Sequence, residues 1–244
     1  MKRDNKGFTL VEMIIVMSLT IVVITAIFSF FIISKKISSQ TEIKSDLQRE
    51  AAKVQQSIID VGTQSEQLLY VKGAGGTEIN TVGDYIHDPT ISDGTLSIKE
   101  FAFKLPDGKF INNITLPNNI TLANNEYLKF VYKLEDSKLK CIVYKVASSV
   151  ETEVKSMVVC DFVGDPTDYS ISIKPVNWEL MNSLSSPWND STSIGGKGDN
   201  IPFSAIKLTI KFKISRGFYT GDKAQKQSIN AIVKFRNDNV SEES

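Results

Sequence analysis

One carboxylate, Glu12, stands at the entrance of a stretch that otherwise carries no charge, since residues 13–33 contain neither acid nor base. As a helix that stretch is about 30 Å long, enough to cross the hydrocarbon of a bilayer. An acid inside such a run costs roughly 2.5–3.5 kcal/mol at mid-bilayer and less near an edge. Its strongest chemistry there is to meet a cation, because an opposite charge in apolar surroundings is weakly screened while a lone carboxylate is disfavoured. The plainer alternative is that Glu12 snorkels to the headgroup level at the end of the helix.

Other reactive side chains form weaker constellations. His87 is the single histidine, which disfavours a Ser-His or Cys-His catalytic system. Two cysteines, Cys141 and Cys160, cannot make a four-ligand zinc site, and with His87 they supply three ligands at most. Asp84, Asp88, Asp93 and Glu100 lack the alternating acid order of a calcium loop, so solvated loop acids describe them better. His87, beside Asp88-Pro89, reads as an exposed turn residue. The segment 182–200 has a lysine after two glycines but not the order of a phosphate-binding loop. Lys and Arg number 28 against 28 Asp and Glu, which leaves no basic field to attract nucleic acid. No nucleophile–base set and no metal cluster emerges, so the expectation is a protein that is not an enzyme and needs no cofactor or metal.

Cys141 and Cys160 belong to apolar alternations, Leu139-Cys141-Val143 and Val158-Cys160-Phe162. A bridge between them would close a loop of about 20 residues and contribute roughly 3 kcal/mol in the chain-entropy model. Two reduced core thiols fit the same pattern, and both readings stay open.

The elements around these residues are legible from periodicity. No Gly or Pro occurs from Phe8 to Val61, which predicts one helix of about 81 Å with Gly62 as its stop. Ile43, Leu47, Ala51, Val54, Ile58 and Val61 recur at three- and four-residue spacing, with Lys44, Gln48, Arg49, Lys53 and Gln55 between them. That stripe is expected to lie on a sheet; barely three heptads are available for a coiled-coil seam. Strands are expected at 67–72, 96–105, 128–134, 139–146, 153–163, 169–176, 206–214 and 229–235, the last two paired across the connection 217–221. One apolar and one lysine-rich face describe a sheet covered on one side. Trp178 and Trp188 bracket the start of the 182–200 loop, either as partner contacts or as anchors packed on the sheet.

Lys2, Arg3 and Lys6 precede the apolar run against one acid, Asp4, which favours a cytoplasmic N-terminus and an exported body. The run starts close to Met1, and no small-residue cleavage pattern follows it. The junction Gly7-Phe8-Thr9-Leu10-Val11-Glu12 resembles the processing site of type IV prepilins and pseudopilins. The resemblance implies cleavage between Gly7 and Phe8 by a membrane-embedded prepilin peptidase, and N-methylation of the new amine of Phe8. It gives Glu12 the role of pairing with the terminal amine of a neighbouring subunit during assembly. Many pilins carry a proline midway along the apolar half of the helix, but none stands near Ser29 here.

The hairpin YLKFVYKLEDSKLKCIVYKV and the closing AIKLTIKFKI…SINAIVKFRN, ending in Arg236-Asn237, resemble J-type pseudopilins and PilW-type minor pilins over residues 126–237. The expected fold is α+β and pilin-like, with a long N-terminal helix packed on an antiparallel sheet. Its expected parts are a leader at 1–7, a transmembrane and filament-core helix at 8–33, an amphipathic half at 34–61 and an extracytoplasmic β-rich head at 62–244. The expected function is that of a minor type IV pilin that joins, primes or caps a pilus. The alternatives are a pseudopilin of a type II secretion or DNA-uptake machine, and a membrane-tethered binding protein that never polymerises. The implied partners are other pilin subunits, the prepilin peptidase and an inner-membrane assembly platform, with the assembled head at the pilus or cell surface.

Overall fold

The computed structural model describes residues 9–81, 84–85, 91, 95–105, 120, 122–123, 125–163, 171–176, 203 and 205–235. The leader with Lys2, Arg3, Lys6, Gly7 and Phe8 lies outside the described residues. So do His87, Asp88, Asp93, Trp178, Trp188, the 182–200 segment and Arg236-Asn237.

Helix α1 runs unbroken over Leu10–Gln64. Its first half is exposed from Leu10 to Ile37 and carries no charge from Met13 to Ile33. In its second half Ile43, Leu47, Ala51, Val54, Ile58 and Val61 are all buried, so the stripe read from the sequence is the face that meets the sheet. Burying an aliphatic side chain of this kind contributes about 1.5–3 kcal/mol relative to leaving it in water.

The helix does not stop at Gly62, as expected from the sequence, but continues to Gln64. Gly62 serves packing instead: it lies against Val233, where any side chain would collide. The stop comes from Ser65, whose extended backbone carries its N–H to the carbonyl of Gly62 and whose hydroxyl donates to the carbonyl of Val61 at 2.6 Å.

The strands are β1 Gln67–Gly73, β2 Glu78–Ile79, β3 Leu96–Leu105, β4 Tyr127–Glu135, β5 Lys138–Ala147, β6 Val150–Cys160, β7 Ile171–Pro175, β8 Ala205–Ile214 and β9 Gln225–Lys234. All pair antiparallel in one sheet of order β6-β5-β4-β3-β7-β8-β9, with β1 beside β3 and β2 beside β1. β3 is the common strand, pairing through Ile98 to Lys104 with β1, through Glu100 to Leu105 with β4, and through Leu96 and Ser97 with β7. After β6 the chain swings across to β8, where Val163 bridges Phe212 and Lys213 donates its N–H to the carbonyl of Phe162 at 3.1 Å. The sheet thus curls around the helix.

β8 alternates as its sequence demands, with Ile206, Leu208, Ile210, Phe212 and Ile214 buried. β9 pairs with it along its whole length. Strand β6 ends at Cys160 rather than at Val163, and starts three residues earlier than the apolar pattern suggests. Two tight hairpins frame β5, each turning through two residues at positive φ: Asp136 (51°) with Ser137 (59°), and Ser148 (48°) with Ser149 (67°). That conformation matches the twist of the flanking strands.

An aromatic group joins helix to sheet. The Tyr132 ring stacks on Phe101 at 5.1 Å, and Phe103 meets Tyr132 and Phe235. The Tyr132 hydroxyl lies 2.9 Å from the Ser57 hydroxyl and donates to the Ser57 carbonyl at 3.1 Å.

Candidate assembly site

The amino end of α1 is built by Thr9 and Glu12. The Thr9 hydroxyl accepts the N–H of Glu12 at 3.3 Å, while Glu12 Oε2 accepts the Thr9 N–H and the Thr9 hydroxyl, both at 2.9 Å. This reciprocal arrangement satisfies two of the donors a helix leaves open at its start. In hydrocarbon, where no water substitutes, each such donor would otherwise cost several kcal/mol. The T-x-x-E spacing that signals this cap is present in the sequence, but the expectation for Glu12 rested on its charge in an apolar run and on the Gly7–Glu12 resemblance, not on the cap.

Both bonds use Oε2, and no described residue donates to Oε1. Glu12 is thus engaged locally through Oε2, and its side chain is exposed, as are those of the flanking Val11 and Met13. A carboxylate at a helix amino end is favoured by the helix dipole as well. The cap draws on one carboxylate oxygen, Oε2.

The remaining candidates separate. Asp84 accepts the N–H groups of Asn80 (3.3 Å) and Thr81 (3.2 Å), and Glu100 accepts the Tyr70 hydroxyl at 2.5 Å. Each acid thus has its own local task. Among the described residues no group of three His, Cys, Asp or Glu side chains gathers in a way that would hold a metal.

Cys141 and Cys160 are free and buried. They sit on neighbouring strands but out of step, Cys141 opposite Met157 and Cys160 opposite Leu139. Neither thiol is bridged in this structure. Burial pushes the Cys141 thiol up to about 12 and that of Cys160 up to about 11.

Glu50 was not singled out by the sequence reading, yet it is buried on the helix face. It is held by Lys53 at 2.7 Å and Arg49 at 3.8 Å. A cavity of about 310 Å³ opens between α1 and the end of β8, with Asp46, Lys213 and Arg216 in its wall. These are charges of both signs, without a nucleophile–base pair.

A single long apolar helix laid on a curled antiparallel sheet defines a type IV pilin-like α+β architecture. Residues 2–28 match the model of the prokaryotic N-terminal methylation motif, the signature of type IV prepilins and pseudopilins. That signature marks structural subunits that assemble with other pilins, not an enzyme class. The comparison with curated proteins returns no match, and neither does the comparison with solved structures. The apolar half of α1 is long and apolar enough to cross a membrane, which is consistent with a single-pass anchor.

Proposed function

We propose that this chain is a minor type IV pilin. A prepilin peptidase removes the leader 1–7 between Gly7 and Phe8, and the amine of Phe8 is methylated. Residues 8–33 then anchor the subunit in the membrane and later line the filament core. The amphipathic half from residue 34 carries the β-rich head at 62–244, outside the cytoplasm. An assembly platform in the membrane feeds the subunit into a pilus, where it primes, caps or interrupts a major pilin.

The observation that carries this reading is the Glu12 carboxylate, kept within the methylation motif on an exposed apolar helix, with no donor to Oε1 among the described residues. Pairing that oxygen with the amine of Phe8 on an incoming subunit would favour the register in which the two meet. It would also disfavour every register that leaves the charge alone in hydrocarbon.

The capping box supplies the discriminating test. Glutamine at this position closes the same box but carries no charge. If Glu12 acts only as a cap, Glu12→Gln assembles like the wild type and Glu12→Ala does not. If the charge registers subunits, both variants insert, are cut, and fail to enter filaments. Mass spectrometry of sheared filaments reads this directly, through the peptide beginning at Phe8 and its ratio to the major subunit. Cleaved protein found only in membranes would favour a short pseudopilus of a secretion or DNA-uptake machine. An intact leader throughout would leave a tethered binding protein.

A further inference from the structure

Among the described residues of the head, the connection between β8 and β9 reaches farthest down α1, to the level where the apolar run ends. β9 climbs with the helix, since the Gln55 amide meets the carbonyl of Asn230 and Gly62 meets Val233. β8 therefore descends, and residues 215–224 form the end of the described head nearest the apolar half of α1. There Arg216 reaches Glu42 at 3.6 Å and Asp46 at 4.0 Å. The Tyr219 hydroxyl donates to the carbonyl of Lys36 at 3.2 Å and lies 3.4 Å from Gln40 Oε1. Lys36 is three residues beyond Ile33, about 4.5 Å of helix. This falls within the roughly 5–7 Å headgroup layer on one side of a bilayer.

Between these two anchors the chain makes a tight turn in which Arg216 and Tyr219 exchange both backbone hydrogen bonds, at 3.0 and 3.1 Å. Gly217 takes the positive φ (59°) that the turn requires. The other tip residue is Phe218, which is 52% exposed although its neighbours are held to the helix. Lys35, Lys36 and Lys223 are exposed at the same end, with Asp222 the acid among them. Glu42 is the next acid up the helix, about 9 Å above Lys36.

We infer that the β8–β9 turn is a second membrane contact. Phe218 lies in the headgroup layer of the bilayer that α1 spans, and Lys35, Lys36 and Lys223 face lipid phosphates. This rests on the reading of α1 as a membrane anchor. An aromatic ring at the interface beside lysines is the arrangement that holds a protein at headgroup depth. The contact seats the head on the membrane before assembly, and extraction into a filament must release it.

The test uses the full chain in vesicles of phosphatidylethanolamine with about a quarter phosphatidylglycerol, an anionic composition that rewards cationic contacts. A photoreactive benzoylphenylalanine replaces Phe218, Ile24 or Ile232 in separate preparations, and adducts are identified by mass. Ile24 reports the anchor. Ile232, 60% exposed at the far end of the head, reports chance contact. The expected result is lipid adducts at 24 and at 218, the latter roughly tenfold or more above 232. Lipid adducts at 24 with 218 no higher than 232 overturn the proposal and leave the anchor intact. Adducts at 218 to a second copy in place of lipid also overturn it, and make the turn a subunit contact. An absence of lipid adducts at 24 removes the anchor reading itself, and this proposal with it.

Discussion

Val233 occupies the space that a side chain on Gly62 would need, because a β-carbon at position 62 would collide with Val233 Cγ1. The absence of a side chain there lets the top of α1 close onto β9. Alanine is the better helix former by about 1 kcal/mol. Gly62→Ala nevertheless destabilises the chain by roughly 1–3 kcal/mol, the usual range for overpacking a core. Denaturant unfolding of the full chain in detergent measures this, and adding Val233→Ala recovers part of the loss. A stabilised Gly62→Ala variant would show that helix propensity outweighs the contact.

Tyr132 and Ser57 give an asymmetric pair of expectations. Tyr132→Phe removes both contacts between the ring hydroxyl and Ser57 and costs about 1 kcal/mol or slightly more. Ser57→Ala costs less, since the tyrosine still donates to the carbonyl of residue 57. Unfolding midpoints of the two variants in the same detergent rank them, and the reverse order would contradict the geometry.

The two thiols make stability depend on alkaline pH. In the unfolded chain a cysteine ionises near pH 8.5. The folded chain holds Cys160 neutral to about 11 and Cys141 to about 12. Below the unfolded value both states keep their protons, and the contribution is fully present. Above it the unfolded chain releases protons that the folded one retains, so stability falls as pH rises from about 9 towards the folded values. Replacing both cysteines with alanine flattens that slope. At pH 8 a maleimide labels neither thiol until denaturant is added, and reduction leaves the intact mass unchanged. A gain of about 2 Da on reduction would establish a bridge instead.

Ser149 offers a stabilising change. It holds a φ of 67° at the second corner of an exposed turn, a region that disfavours any residue with a β-carbon by roughly 1–2 kcal/mol. Ser149→Gly relieves that strain and raises stability by about 0.5–1 kcal/mol, even after the greater freedom of glycine in the unfolded chain. Ser149→Val lowers it. Thermal unfolding distinguishes the two, and equal midpoints would mean that the turn adapts at no cost.

Most of the scaffold was legible because apolar periodicity records which face is buried. Every residue of the helical stripe from Ile43 to Val61 and of the β8 alternation is buried where the spacing put it. What escaped the pattern depends on contacts between distant residues or on hydrogen bonding. Gly62 read as a helix stop because its partner, Val233, is remote in sequence. β6 begins at Val150, ahead of the polar run Glu151-Thr152-Glu153, because the turn at Ser148-Ser149 fixes its register from β5. β9 likewise begins in the polar run Gln225-Lys226-Gln227, drawn into the sheet by pairing with β8. At the candidate site the oddity of Glu12 was plain from charge, whereas its bond to Thr9 follows from local geometry that hydrophobicity does not register.

The head grips α1 from Lys36 to Gly62, and no proline or glycine breaks the rod between the apolar run and the upper contact. With the apolar half anchored as proposed, helix and head would swing together as a lever with its fulcrum at the bilayer surface. Membrane helices lean by about 20° on average, and over the roughly 46 Å from Ile33 to Gln64 that lean carries the far end some ~16 Å sideways. A small change of angle in the anchor becomes a large change in where the crown of the head presents itself to the next subunit.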